Sequence, residues 1–183
     1  EVWALAFLPA FLWSITKYVK ENNFLYALLS SIFLSLIIFS HNILGLMFIF
    51  FCFLYSLFIF INQKGKKNYS KLIFVFVLAV GLSSIFWIPA IFEKQYVRGL
   101  EVYDYSSNFP EFYQLIIPSF GSGLSGSLQN GLSFQIGLAN LLAVFLSTLL
   151  IFKKRVKEFK KIIYFFLVSF LIVSFLMLSI SKP

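Results

Sequence analysis

Six apolar blocks alternate along the chain with shorter polar or charged connections: Val2 to Ile15, Phe24 to Ser40, Ile43 to Ile61, Leu72 to Phe92, Ile136 to Phe152 and Ile162 to Ile180. About 20 apolar residues of helix cross the hydrocarbon core of a bilayer, and the blocks are of that order, the first and fifth being among the shortest. A spanning barrel strand would alternate lipid-facing apolar with lumen-facing polar positions, whereas these blocks are apolar on every side. The pattern predicts an all-α, polytopic transmembrane bundle of about six spans, making a single transmembrane domain of residues 1–183. One long connection, 93–135, separates the fourth and fifth blocks. Within it Asn108-Phe109-Pro110-Glu111 has the form of a helix start, and Pro118 stops the helix soon after. Phe109, Phe112, Tyr113, Ile116 and Ile117 make that short helix apolar enough to lie in the interface.

Composition agrees with the pattern. The chain is 60% hydrophobic, 21% aromatic and only 12% charged. Soluble domains average roughly 45–50% apolar and about 25% charged residues, so a water-soluble fold of this length cannot hide the surplus. The single cysteine, Cys52, lies inside an apolar block, which excludes a disulfide framework or a cysteine metal cluster. The chain opens at Glu1 with no basic region or cleavage site of a signal peptide. Both ends are expected to be cut from a longer protein.

The net charge of +8 changes the picture only through its distribution. The basic residues sit in the connections and carry no aromatic-interleaved pattern, so nucleic acid is not an expected partner. When Lys17 and Lys20 are placed in the cytoplasm and the spans alternate, the same side receives Lys64, Lys66, Lys67, Lys71 and the 153–161 link. Twelve of the fifteen basic residues then lie inside, leaving Lys94, Arg98 and Lys182 outside. This positive-inside bias predicts a multi-pass protein of the plasma (inner) membrane with its Lys/Arg-rich loops cytoplasmic. The outer face holds Glu1, the Ser40-His41-Asn42 connection and 93–135, with five of the seven acidic residues. Any chemistry belongs on that face.

Each feature there has a functional and a structural reading. His41, the only histidine, sits with Asn42 where two helices meet the surface. An imidazole there can donate to an anionic headgroup, or it can cap the free backbone groups of two helix ends. Glu93, Glu101, Asp104 and Glu111 lie beside Lys94 and Arg98, as metal or acid–base groups or as a solvated loop. No spacing matches a metal motif, so a divalent metal is unsupported and no cofactor is identified. Gly121 to Gly126, followed by Gln129, Asn130 and Gly131, lacks the strand and GK[ST] ending of a P-loop and reads as a plain loop. Trp3, Trp13 and Trp87, with Tyr96, Tyr103, Tyr105 and Tyr113, read as interfacial belts. Ala27, Ser31 and Ser35, and likewise Ala79 and Ser83, repeat every four residues and predict close helix packing. No full charge lies deep in a span, which weighs against an ion-coupled transporter.

Several of these residues form a family pattern. Glu1 before a helix containing Pro9, Ser40-His41-Asn42, Phe86-Trp87-Ile88-Pro89-Ala90 with Glu93, Phe109-Pro110-Glu111, Ile117-Pro118-Ser119, Phe134-Gln135-Ile136-Gly137 and Ser181-Lys182-Pro183 resemble bacterial polytopic membrane proteins labelled "6-pyruvoyl-tetrahydropterin synthase-related". These in turn resemble the GT-C class of glycosyltransferases. The resemblance implies an outer-face site that uses a polyprenyl-phosphate-linked sugar as donor, with His41 and Asn42 as contacts for the lipid phosphate or sugar and Glu1 and Glu93 as weaker candidates. It also implies a catalytic acid in an outer loop upstream of residue 1, so no catalytic residue is assigned within the chain. Two other readings stay open: a flippase of lipid-linked glycans, which needs a polar path that Asn140 and the scattered serines supply only sparsely, and a non-catalytic helical scaffold.

Overall fold

The computed structural model describes residues 2–63, 69–96, 109–118, 133–153, 157 and 159–181. All regular structure among them is helical, with seven α-helices and three short 3-10 turns. The chain divides into two compact units, 1–98 and 99–183.

The first unit is built from α1 (Val2–Glu21), α2 (Phe24–Ser40), α3 (Asn42–Asn62), α4 (Tyr69–Leu82) and α5 (Ser84–Phe92). At 1.5 Å per residue α1 is about 30 Å long. It outruns its apolar block because Lys17 and Glu21 face each other one turn apart, 2.6 Å between Nζ and Oε1, and keep the last turn helical. Asn22 then ends it: this residue is left-handed (φ 54°), and its N–H reaches the Tyr18 carbonyl at 2.9 Å. Asparagine tolerates that conformation better than most residues. The next residue, Asn23, caps α2 by accepting from the Leu25 N–H at 2.9 Å. Two residues thus turn the chain.

α1 and α2 form the centre of the unit, with α3 and α4 packed around them. The core is an apolar set including Phe11, Ile15, Leu34, Ile37 and Val75 together with buried serines. Hydroxyls inside a bundle cost free energy unless bonded, and no buried side-chain polar atom among the described residues lacks a partner. The Ser31 hydroxyl donates across to the Val75 carbonyl at 3.1 Å, joining α2 to α4. Ser14 and Ser30 join α1 to α2 with hydroxyls 3.0 Å apart, and Thr16 and Tyr55 join α1 to α3 at the same distance. The expected small-residue faces are these contacts, since Ala27, Ser31, Ser35, Ala79 and Ser83 are all buried.

The fourth apolar block is not one straight helix. α4 and α5 meet at a 63° bend around Ser83. Glycine and serine at Gly81, Ser83 and Ser84 weaken the helix there, and Pro89 supplies no N–H to the turn behind it. The Ser83 hydroxyl lies within bonding distance of the Ala79 and Val80 carbonyls, at 2.9 and 3.1 Å.

The second unit holds α6 (Leu138–Phe152) and α7 (Lys160–Met177), which pack on each other. Its 112–115 segment is a four-residue 3-10 turn, not the longer interfacial helix expected from Pro110 and Pro118. Glu111 is the capping residue, its N–H bonded to Gln114 Oε1 at 2.7 Å. The turn is tethered at both sides: the Ile136 N–H bonds the Leu115 carbonyl at 2.9 Å, and the Ser179 N–H bonds the Pro110 carbonyl at 3.0 Å. Those bonds, with Leu115 and Pro110 buried, take the place of helix propagation.

Among the described residues, three helices are long and apolar enough to cross a membrane, Val2–Glu21, Ile43–Asn62 and Lys160–Met177, and the bent α4–α5 pair makes up to four. α2 and α6 are apolar helices of 17 and 15 residues. Large apolar side chains lie exposed along all of them, and neither α6 nor α7 buries a residue. A soluble monomer rarely exposes such contiguous apolar area, whereas lipid tails are its natural solvent.

Candidate functional site

His41 is the whole connection between α2 and α3. Its backbone is extended (φ −168°, ψ 128°), and its Nδ1 accepts from the Leu44 N–H at 3.3 Å, so the imidazole caps α3. The Gly45 N–H closes the first turn on the His41 carbonyl at 2.7 Å. His41 thus caps α3, one of the two helix ends that meet at the corner, and the cap orients the ring by one nitrogen.

The corner is tight because Gly45 lies against α2. A Cβ added at Gly45 would lie 3.0 Å from the Ile38 Cα, a fit that requires the neighbouring backbone to give by a few tenths of an ångström. Asn42 is the first residue of α3, and its side chain lies outside the described part of the structure, as does Glu1. Glu93 is exposed at the end of α5, where its N–H bonds the Pro89 carbonyl at 2.8 Å and its own carbonyl accepts from the Tyr96 N–H at 2.9 Å. Glu101, Asp104 and the 121–131 glycine-rich stretch lie outside the described residues. Glu111 belongs to the second unit. No cluster of three metal-ligating side chains occurs among the described residues.

Between the α2–α3 corner and the α4–α5 pair lies an apolar cavity of about 650 Å³. Ile38 and Gly45 form the wall nearest in sequence to His41, and Ala90 and Ile91 lead toward Glu93. Phe86 and Trp87 complete it from α5, and Phe86 packs on Phe39 with ring centroids 6.0 Å apart. The bend at Ser83 brings α5 to this position. Trp87 was assigned to an interfacial belt by its place in the sequence, but it lines the cavity, and its indole N–H donates to the Val80 carbonyl at 3.0 Å. Its spacing of seven residues from Val80, two helical turns across a Gly/Ser break, was the available signal. Trp3 and Trp13 are exposed, as a belt requires.

A second hollow, of about 470 Å³, separates α6 and α7 and includes Asn140 and Ser147. Asn140 donates one amide N–H to the Ile136 carbonyl at 2.7 Å.

No curated protein and no solved structure matches the chain. A family model does, over residues 1–180, and its description is a 6-pyruvoyl-tetrahydropterin synthase related domain, a membrane protein. Nearly the whole chain is covered, apolar helices and connections together. The chain belongs to the 6-pyruvoyl-tetrahydropterin synthase related family of membrane proteins.

Proposed function

We propose that this chain is the membrane region of a GT-C-like glycosyltransferase that takes a sugar from a polyprenyl-phosphate donor at the extracytoplasmic face. In such a transfer the bond from the sugar C1 to the phosphate oxygen breaks, and a bond from C1 to an acceptor hydroxyl forms. The hydroxyl proton leaves to a base, and no base is assigned within the chain. The observation that carries the reading is the apolar cavity beside the His41 corner. An isoprenoid chain needs an apolar slot that opens to lipid, and a phosphate at its end needs a donor at the membrane surface. His41 and Asn42 supply that donor position, with Glu93 and Glu1 as further polar contacts.

The test is sugar transfer by the full-length protein in proteoliposomes containing a labelled polyprenyl-phosphate sugar. Ala90→Trp, which fills the cavity, and His41→Asn, which keeps a capping side chain, should each lower transfer. Unchanged transfer in both variants removes the cavity and the corner from the site.

One observation favours a second reading, a flippase of lipid-linked glycans. Broken helices such as α4–α5 mark substrate pathways in many transporters. Labelled glycan reaching the opposite leaflet without a new glycosidic bond would select it.

A further inference from the structure

At the other end of the first unit a cavity of about 370 Å³ opens where α1 ends and α2 and α4 begin. We propose that it binds the headgroup of an anionic phospholipid, with Lys71 as the principal contact and Phe24 and Phe74 as the seat for its acyl chains.

Charge is the first argument. Neither α2 nor α4 has an acidic residue in its first turn, so no carboxylate of their own meets the positive ends of these helices beside the cavity. Lys71 lines the cavity, and Lys20 is the basic residue in the last turn of α1. The described acid at this end, Glu21, is held by Lys17 at 2.6 Å. The sequence adds Lys64, Lys66 and Lys67 in the link that leads into α4. An anion is the missing partner.

Geometry is the second. Lys71 Nζ donates to Asn22 Oδ1 at 2.5 Å, which holds the ammonium at the α1–α2 corner. An ammonium has three donors, and the bond to Asn22 leaves others for phosphate oxygens. Tyr18 and Ser70 line the same hollow.

The third argument selects a lipid over a free anion. Phe24 and Phe74 line the cavity with ring centroids 5.8 Å apart, and both rings are exposed, 59% and 40%. Aromatic surface continuous with a cationic hollow matches a molecule that is apolar at one end and anionic at the other.

Native mass spectrometry of the full-length protein, titrated with phosphatidylglycerol or phosphatidylcholine, tests this. Phosphatidylglycerol adducts should dominate. Lys71→Gln, which keeps an N–H for Asn22, should reduce them about fivefold, the worth of one basic side chain at a lipid surface, and Lys71→Arg should restore them. Phe74→Ala should weaken retention without changing charge, which covers the case of a misfolded lysine variant. Equal retention of the two lipids, no response to either Lys71→Gln or Phe74→Ala, or displacement of the lipid by millimolar inorganic phosphate would each overturn the proposal.

Discussion

Trp87 donates its indole N–H to the carbonyl of Val80 across the bend that separates α4 from α5. Opening a helix by 63° costs carbonyl groups at the break their regular helical partners, and inside a bilayer each such group costs free energy unless a donor is found. The indole is that donor for Val80, with the Ser83 hydroxyl 3.1 Å from the same carbonyl, while the Ala79 carbonyl accepts the Ser83 N–H at 3.1 Å and lies 2.9 Å from the hydroxyl. Trp87→Phe keeps the ring and deletes the bond. It is expected to lower stability in detergent by about 1 kcal/mol, and Ser83→Ala is expected to be non-additive with it, because both side chains reach the Val80 carbonyl. Thermal unfolding of the two single variants and the double variant measures both quantities.

Two glycines should respond in opposite directions. At Gly45 an added methyl meets backbone of α2 at 3.0 Å, so in Gly45→Ala the two helices have to shift by a few tenths of an ångström, and the variant is expected to cost about 1–3 kcal/mol. At Gly81 the same methyl meets nothing within 4 Å. Gly81→Ala should be neutral or stabilising by up to about 1 kcal/mol, the difference in helix propensity. Parallel denaturation of the two variants reads the contrast directly.

His41 separates capping from binding. His41→Ala removes the acceptor for the Leu44 N–H and is expected to cost about 0.5–2 kcal/mol. His41→Asn retains a short capping acceptor and should keep most of that stability. If transfer activity is lost in a stable His41→Asn protein, the imidazole has a role beyond the cap; if activity tracks stability across both variants, it has none.

Ser31 sits fully buried where α2 crosses α4. Ser31→Ala loses one interhelical bond and is expected to cost about 0.6 kcal/mol, a typical value inside bilayers. Ser31→Leu, though more apolar, forces the helices apart and should cost several times more. A folding assay in which leucine is the better tolerated residue would show that close packing is not the reason for serine there.

Orientation can be read from single cysteines. A cysteine at Gln95 should react with an impermeant maleimide in intact cells, and one at Lys157 only after permeabilisation, following the basic residues. Cys52 is fully buried and should give no background.

The apolar blocks were legible because a bilayer rewards unbroken hydrophobicity, and the block at 43–61 became a helix of nearly those bounds. Where polar residues continue a helix, hydropathy stops too early: α1 runs six residues past Ile15 on the strength of Lys17, Tyr18 and Glu21. The block at 72–92 hid a bend, although Gly81, Ser83, Ser84 and Pro89 stood in plain sight. Apolarity along a segment says nothing about its axis. The short helix expected after Pro110 became a 3-10 turn, because its groups bond to residues 136 and 179, far along the chain. For the candidate site, the capping role of His41 followed from its place between two blocks. The cavity beside it did not, since Ile38, Gly45, Val80 and Trp87 converge only through the folding of four helices.

The corner at His41 carries a consequence for biogenesis. One residue spans only about 3.8 Å, too little slack for α2 to settle in lipid while α3 waits in water. The two helices must leave the insertion machinery as one folded hairpin, already closed at Gly45. A defect at that glycine would then surface as failed insertion and rapid degradation in the cell, before any assay of the mature protein could register it.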